Sequence, residues 1–105
     1  MKKIKMLLDY KCYPMWVYNE QGELIKNDLI DELKGEKAIE ELLNEVQSTY
    51  ESLFIDNKIE FRYKGFADEV KKKEFLSQLA QVIQLIELKV GNSYKIENKV
   101  NFDEF

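Results

Sequence analysis

The first hydrophobic pattern along the chain has a period of two. Lys3, Ile4, Lys5 and Met6 alternate before Leu7 and Leu8, which predicts a strand over 3–8 with Ile4, Met6 and Leu8 facing a core. The stretch "PMWVYNEQGELI", residues 14–25, then reads as a hairpin. Pro14 cannot donate to a ladder and favours a strand start or an edge. "NEQG" suits a four-residue loop, with Asn19 at its opening and Gly22 in a left-handed closing position. That loop sets Tyr18 opposite Glu23, Val17 opposite Leu24 and Trp16 opposite Ile25. The first arm is unusual, because Met15 and Val17 lie on one side and Trp16 and Tyr18 on the other. A half-buried strand needs only one apolar face.

Further on the period lengthens. "NDLIDELKGE" offers Asn27 or Asp28 as the cap of a short helical turn, with Gly35 as its stop. Ile39, Leu42, Leu43, Val46, Tyr50, Leu53 and Phe54 recur at three- and four-residue steps, predicting an amphipathic helix over about 36–54. Asp56 and Asn57 then supply a turn, after which Ile59, Phe61 and Tyr63 alternate with Lys58, Glu60, Arg62 and Lys64 as a one-sided strand. A second long helix should begin near Asp68, because Phe75, Leu76, Leu79, Val82, Ile83, Ile86 and Val90 keep helical spacing up to a stop at Gly91. Tyr94, Ile96 and Val100 alternate with charged residues as a last strand.

Strands with one apolar side and helices with one apolar stripe bury those surfaces most simply as two layers. The expectation is an α+β fold, a largely antiparallel sheet of about five strands packed against two long helices, in one domain spanning 1–105. Three extended segments precede the first long helix, so the order departs from the βαββαβ arrangement.

Composition narrows the function. Hydrophobic residues at 45% and charged residues at 34% describe a folded chain and not a disordered one. Histidine is absent, which removes the commonest metal ligand and the usual partner of a serine or cysteine nucleophile. Cys12 is alone, so no internal disulfide and no two-cysteine zinc or redox motif can form. No acid stands beside a base at a predictable separation, Gly-rich phosphate loops are missing, and the acidic pairs lack calcium-loop spacing. These features argue for a protein that is not an enzyme and needs no cofactor or metal. "MKKIKMLLDYK" is too interrupted by Lys5 for a signal peptide, and no later run approaches a membrane span, so a soluble, cytoplasmic protein with no membrane partner is expected.

Charge then points to candidate surfaces. Between residues 28 and 51 eight acids face only Lys34 and Lys37, a balance of −6 in a chain whose total is −4. Such a patch attracts a basic partner and repels like-charged ones, although a solvated helix face would have the same composition. With the helices on one side of the sheet, the other face would carry Trp16 and Tyr18 among Lys3, Lys5, Lys58, Glu60, Arg62, Lys95, Glu97 and Lys99. Exposed aromatics of this kind serve as interface anchors. Alternatively Trp16 packs on Ile25 beneath Phe102 or Phe105. The triplet Lys71, Lys72 and Lys73 forms no coherent stripe on a helix and reads as solvated surface.

The size, the acidic balance, the missing catalytic motifs and the segments "LLDYKCYPMWVYNEQGEL" and "SLFIDNKIEFRYKGF" resemble small immunity-type proteins that accompany bacterial toxins in low-GC Gram-positive genomes. The resemblance implies an inhibitor that covers the basic cleft of a toxin, often a nuclease. Trp16, Tyr18, Glu36, Glu40, Glu41, Glu45 and Arg62 are then the expected partner-binding residues. A different reading has the sheet face bind single-stranded nucleic acid, with Trp16 and Tyr18 stacking on bases and Lys3, Lys58, Arg62 and Lys95 on phosphates; a pI near 5.0 speaks against it. A homodimer built on the uncovered face is also compatible with the sequence.

Overall fold

The alternation of Lys3, Ile4, Lys5 and Met6 becomes strand β1 (Lys2–Met6) in the computed structural model, which describes residues 1–100. β2 (Met15–Tyr18) and β3 (Leu24–Lys26) follow, joined by a loop whose Gly22 has φ +83°. Asn19 organises that loop: its Oδ1 accepts from the backbone N–H groups of Gln21 (3.0 Å) and Glu23 (2.8 Å). A 3-10 turn at Asp31–Leu33 leads through Gly35, in the left-handed region, into α1 (Lys37–Ser52). Then come β4 (Phe54–Asp56), β5 (Phe61–Tyr63), α2 (Glu69–Val90) and β6 (Tyr94–Asn98). Asp68 caps α2, its Oδ1 accepting from Lys71 N–H at 2.8 Å, and Gly91 closes it.

The main sheet has four strands in the order β3-β2-β1-β6. β1 runs antiparallel to β2 and parallel to β6, so the sheet is mixed rather than largely antiparallel. Both helices cover the face that carries Ile4, Met6, Met15 and Val17, and these pack with Leu43, Val46, Phe75, Leu79, Val82 and Ile86 in one buried cluster. Each such side chain contributes about 1.5–3 kcal/mol through removal from water. The two-layer α+β expectation holds in outline, and its strand count and pairing change.

Four local expectations are corrected. Among the described residues β4 and β5 pair only with each other, so the residues read as a core-facing strand do not enter the main sheet; Ile59 is 95% and Phe61 57% exposed. α1 ends at Ser52, and Phe54 joins β4, where its ring meets those of Tyr50 and Phe61. A register shift between Val17 and Tyr18 places Tyr18 opposite Leu24 and Val17 opposite Lys26, because the bulge absorbs one residue of the return arm. Asn27 does not cap a helix. Its Nδ2 donates to the carbonyls of Tyr13 (2.6 Å) and Met15 (2.9 Å), and its Oδ1 accepts from Tyr13 N–H at 2.9 Å, so it fastens the segment around buried Pro14 to β3.

Candidate functional site

Three surfaces carry the chemistry singled out by the sequence, and the fold separates them. The face of the main sheet that no helix covers among the described residues holds Lys3 and Lys5 from β1, Trp16 and Tyr18 from β2, and Lys95 and Glu97 from β6, since these alternate with the buried positions. Trp16 is half-buried and its indole N–H donates to the Leu7 carbonyl at 3.0 Å. Lys5 Nζ sits 4.5 Å from the centre of the Tyr18 ring, a cation–π contact. Glu97 lies 3.4 Å from Lys3 and 3.2 Å from Lys99; the bond from Lys99, against a counteracting burial, holds its carboxyl below the usual range. Tyr18, Trp16, Lys3 and Lys5 on this face each already have a partner within the chain. Phe102 and Phe105, the expected cover of Trp16, lie outside the described residues.

The acids of 28–51 spread as a belt over the exposed side of α1 and the turn before it. At 100° per residue, Glu41 and Glu45 stand on the flank nearer α2, whereas Glu40 and Glu51 stand on the other flank. Glu45 accepts from Gln78 Nε2 at 3.3 Å and Glu36 lies 3.5 Å from Lys89, contacts that run the two helices antiparallel. Glu40 accepts from Gly35 N–H at 3.2 Å, while Glu41 is exposed with no hydrogen bond or ion pair among the described residues. Asp31 is held below the ordinary carboxylate range, chiefly by the hydrogen bond from Lys34 at 2.9 Å. Tyr13, behind Glu40, is pushed up to about 12 by burial first and by Asp28 and Glu40 second. The field of the acid belt thus reaches groups on the neighbouring loop.

The third surface was hidden in the sequence behind a correct observation. Alternation at Ile59, Phe61 and Tyr63 marks a strand, and yet the β4–β5 hairpin finds no third strand among the described residues. Its apolar side instead builds a ring cluster beside the C-terminal half of α1. Phe54 stacks on Phe61 at 5.5 Å, and Tyr10 meets both at 4.9 and 5.0 Å. The Tyr10 hydroxyl donates to Asp56 at 3.1 Å, and Lys11 Nζ stands 3.6 Å from the same carboxylate. Arg62 is on this hairpin, 3.4 Å from Glu60, and not on the face with Trp16. Lys64 N–H and Gly65 N–H donate to the Leu53 carbonyl at 2.7 and 3.2 Å, which ties the hairpin's base to the end of α1. No signal in the sequence revealed this surface, since β3 is equally short and still joins the main sheet.

A groove of about 480 Å³ opens between the end of α1 and the start of α2, walled by Ser52, Phe66, Lys71, Phe75 and Gln78. Among the described residues no three His, Cys, Asp or Glu side chains come together in a way that could hold a metal ion, and no helix is long and apolar enough to cross a membrane.

Acids on the exposed side of α1 and rings on the β4–β5 hairpin are the kinds of side chain that macromolecular interfaces use for charge complementarity and anchoring. The family model described as Serratia CdiI immunity protein-like matches residues 2–99, and the chain belongs to that family. It is an immunity-type protein. The family takes its name from Serratia, so the low-GC Gram-positive source gains no support. A search of the curated proteins finds no match.

Proposed function

We propose that the protein neutralises a toxin by laying the acid belt of α1 over a basic surface of that toxin, with the β4–β5 hairpin as its grip. The observation that carries this reading is the concentration of acids in 28–51, divided between α1 and the turn before it, in a chain of an immunity family. Charge of this kind raises the rate of encounter, and a few desolvated aromatic side chains hold the complex once formed. Glu36, Glu40, Glu41 and Glu45 supply the first element. Phe61 and Ile59, with Arg62 beside them, supply the second, because they are exposed and follow α1 directly in the chain. Trp16 and Tyr18 lie on the opposite layer, out of reach of a partner that covers α1. An inhibitor guarding the cell that makes the toxin acts in its cytoplasm, and we place the protein there.

The test starts from co-purification out of the native host, which identifies the toxin. Glu40→Lys, Glu41→Lys and Glu45→Lys together should then slow association about tenfold or more at low salt, with a smaller effect at high salt. Phe61→Ala should speed dissociation and leave association alone. An association rate indifferent to the three reversals would sink the electrostatic account. Dissociation that responds to Trp16→Ala and not to Phe61→Ala would move the grip to the sheet.

Single-stranded nucleic acid as the ligand draws less support from the geometry, since Lys5 already occupies one face of Tyr18 and Glu97 sits among the cations. Titration with single-stranded RNA at two salt concentrations checks it, with no binding expected even at low salt.

A further inference from the structure

β6 is an edge strand of the main sheet, and its hydrogen-bonding direction is fixed by one contact. Lys99 N–H donates to the Met6 carbonyl at 2.8 Å, and Met6 is the register partner of Asn98. In a parallel pair the groups that point at the neighbour alternate, so Lys95, Glu97 and Lys99 turn their main-chain groups toward β1. Tyr94, Ile96 and Asn98 therefore turn theirs away from the sheet. None of these outward N–H groups has a hydrogen-bond partner among the described residues.

The strand's sequence, Tyr94-Lys95-Ile96-Glu97-Asn98, is complementary to itself when reversed. Set antiparallel about a two-fold axis through Ile96, it places Ile96 opposite Ile96 and Tyr94 opposite Asn98. All of these are outward positions, so each facing pair can exchange two main-chain hydrogen bonds. On the uncovered face the same register sets Lys95 opposite Glu97 twice, at the closer, non-hydrogen-bonded spacing where side chains interact most. A shift of one residue would bring together positions whose main-chain groups point the wrong way. A shift of two would lose both charge pairs.

Ile96, on the helix-covered side of the strand and only partly buried, would be sheltered further by a second copy at this edge.

We propose that two copies of this chain join through their β6 edges, making one continuous eight-stranded sheet with the acid belts and β4–β5 hairpins left free. The common protection of an edge by lysine fails here, because in this register Lys95 meets a glutamate and not another lysine. This inference does not rest on the identity of any toxin.

Sedimentation velocity of the full chain over a wide concentration range, paired with amide hydrogen exchange, tests it. The expected result is a reversible dimer, with slow exchange at Tyr94, Ile96 and Asn98 that quickens on dilution. Lys95→Glu, an exposed substitution, should weaken the dimer roughly tenfold by placing two glutamates opposite each other twice. Lys95→Met, which removes the facing cation without adding repulsion and leaves Glu97 with Lys3 and Lys99, should weaken the dimer less than Lys95→Glu, and circular dichroism confirms that each variant is folded. A monomer at every concentration with fast exchange at those amides overturns the proposal. So does a dimer indifferent to Lys95→Glu, and so does protection of the edge that arises only when the toxin is added.

Discussion

Two regions of this molecule carry the same kind of alternation and meet opposite fates. In β1, Ile4 and Met6 lie wholly buried beneath two helices, whereas in the β4–β5 hairpin Ile59 and Phe61 remain in water. Both segments look one-sided on paper. The difference lies in what surrounds them: β1 has strands on both sides and helices above, while β5 has a single three-residue neighbour and a ring cluster beneath it. Alternation tells which side chains share a face. It does not say whether anything covers that face.

The largest effect that separates the two regions should come from deleting a ring in each. Phe75, 1% exposed at the centre of the main core, should cost about 3–5 kcal/mol on substitution by alanine, read from urea unfolding. Phe61→Ala should cost about 1 kcal/mol or less, since its ring already faces solvent on one side. Equal costs would erase the distinction and make the hairpin a second core. Next in size, Asn27→Ala should cost about 2 kcal/mol, because it leaves main-chain groups of Tyr13 and Met15 without their partner beside buried Pro14. That loss would sharpen the comparison, as Asn27 secures the buried edge of the main sheet, whereas Asn57 organises a turn that stays exposed.

The smallest effect is a pH dependence. Tyr94 donates its hydroxyl to Glu32 at 2.7 Å, and burial, then this bond, push it up to about 12. A raised folded pKa means the contribution is complete below about 10, the unfolded value, and is lost as pH climbs from there through about 12. For Glu32 the same bond lowers the pKa, so its contribution is present above the usual carboxylate value and fades as pH falls through the lower folded one. Tyr94→Phe should therefore flatten the alkaline limb of the stability curve, followed by unfolding at a series of pH values. An unchanged limb would assign that dependence to Tyr13 instead.

Most elements were legible because each rests on local chemistry. Asp68 as a cap, Gly35 and Gly22 as left-handed stops and the two helical stripes all follow from residues close in the chain. The parallel pairing of β1 with β6 was not legible, since nothing in two short amphipathic strands records which neighbour each will take. Asn27 illustrates the same limit. Its side chain is as good a cap as a staple, and the choice depends on a loop twelve to fourteen residues earlier. For the candidate surfaces, the acid belt could be read because charge on a helix stays where the sequence puts it. The partition of Trp16 and Tyr18 from Arg62 depends on which sheet each strand joins, and only the fold decides that.

The bond between β1 and β6 carries one last implication. Every residue of β1 waits for a mate about ninety positions downstream, from Lys2 with Tyr94 to Met6 with Asn98. A growing polypeptide can zip β1 to β2 early, yet the far side of β1 stays unsatisfied until the ribosome has delivered nearly everything described here. Closure over so long a span is slow, and exposed ladder groups invite strangers in the meantime. The hazard of aggregation should thus concentrate in that interval of synthesis, and ease once β6 arrives.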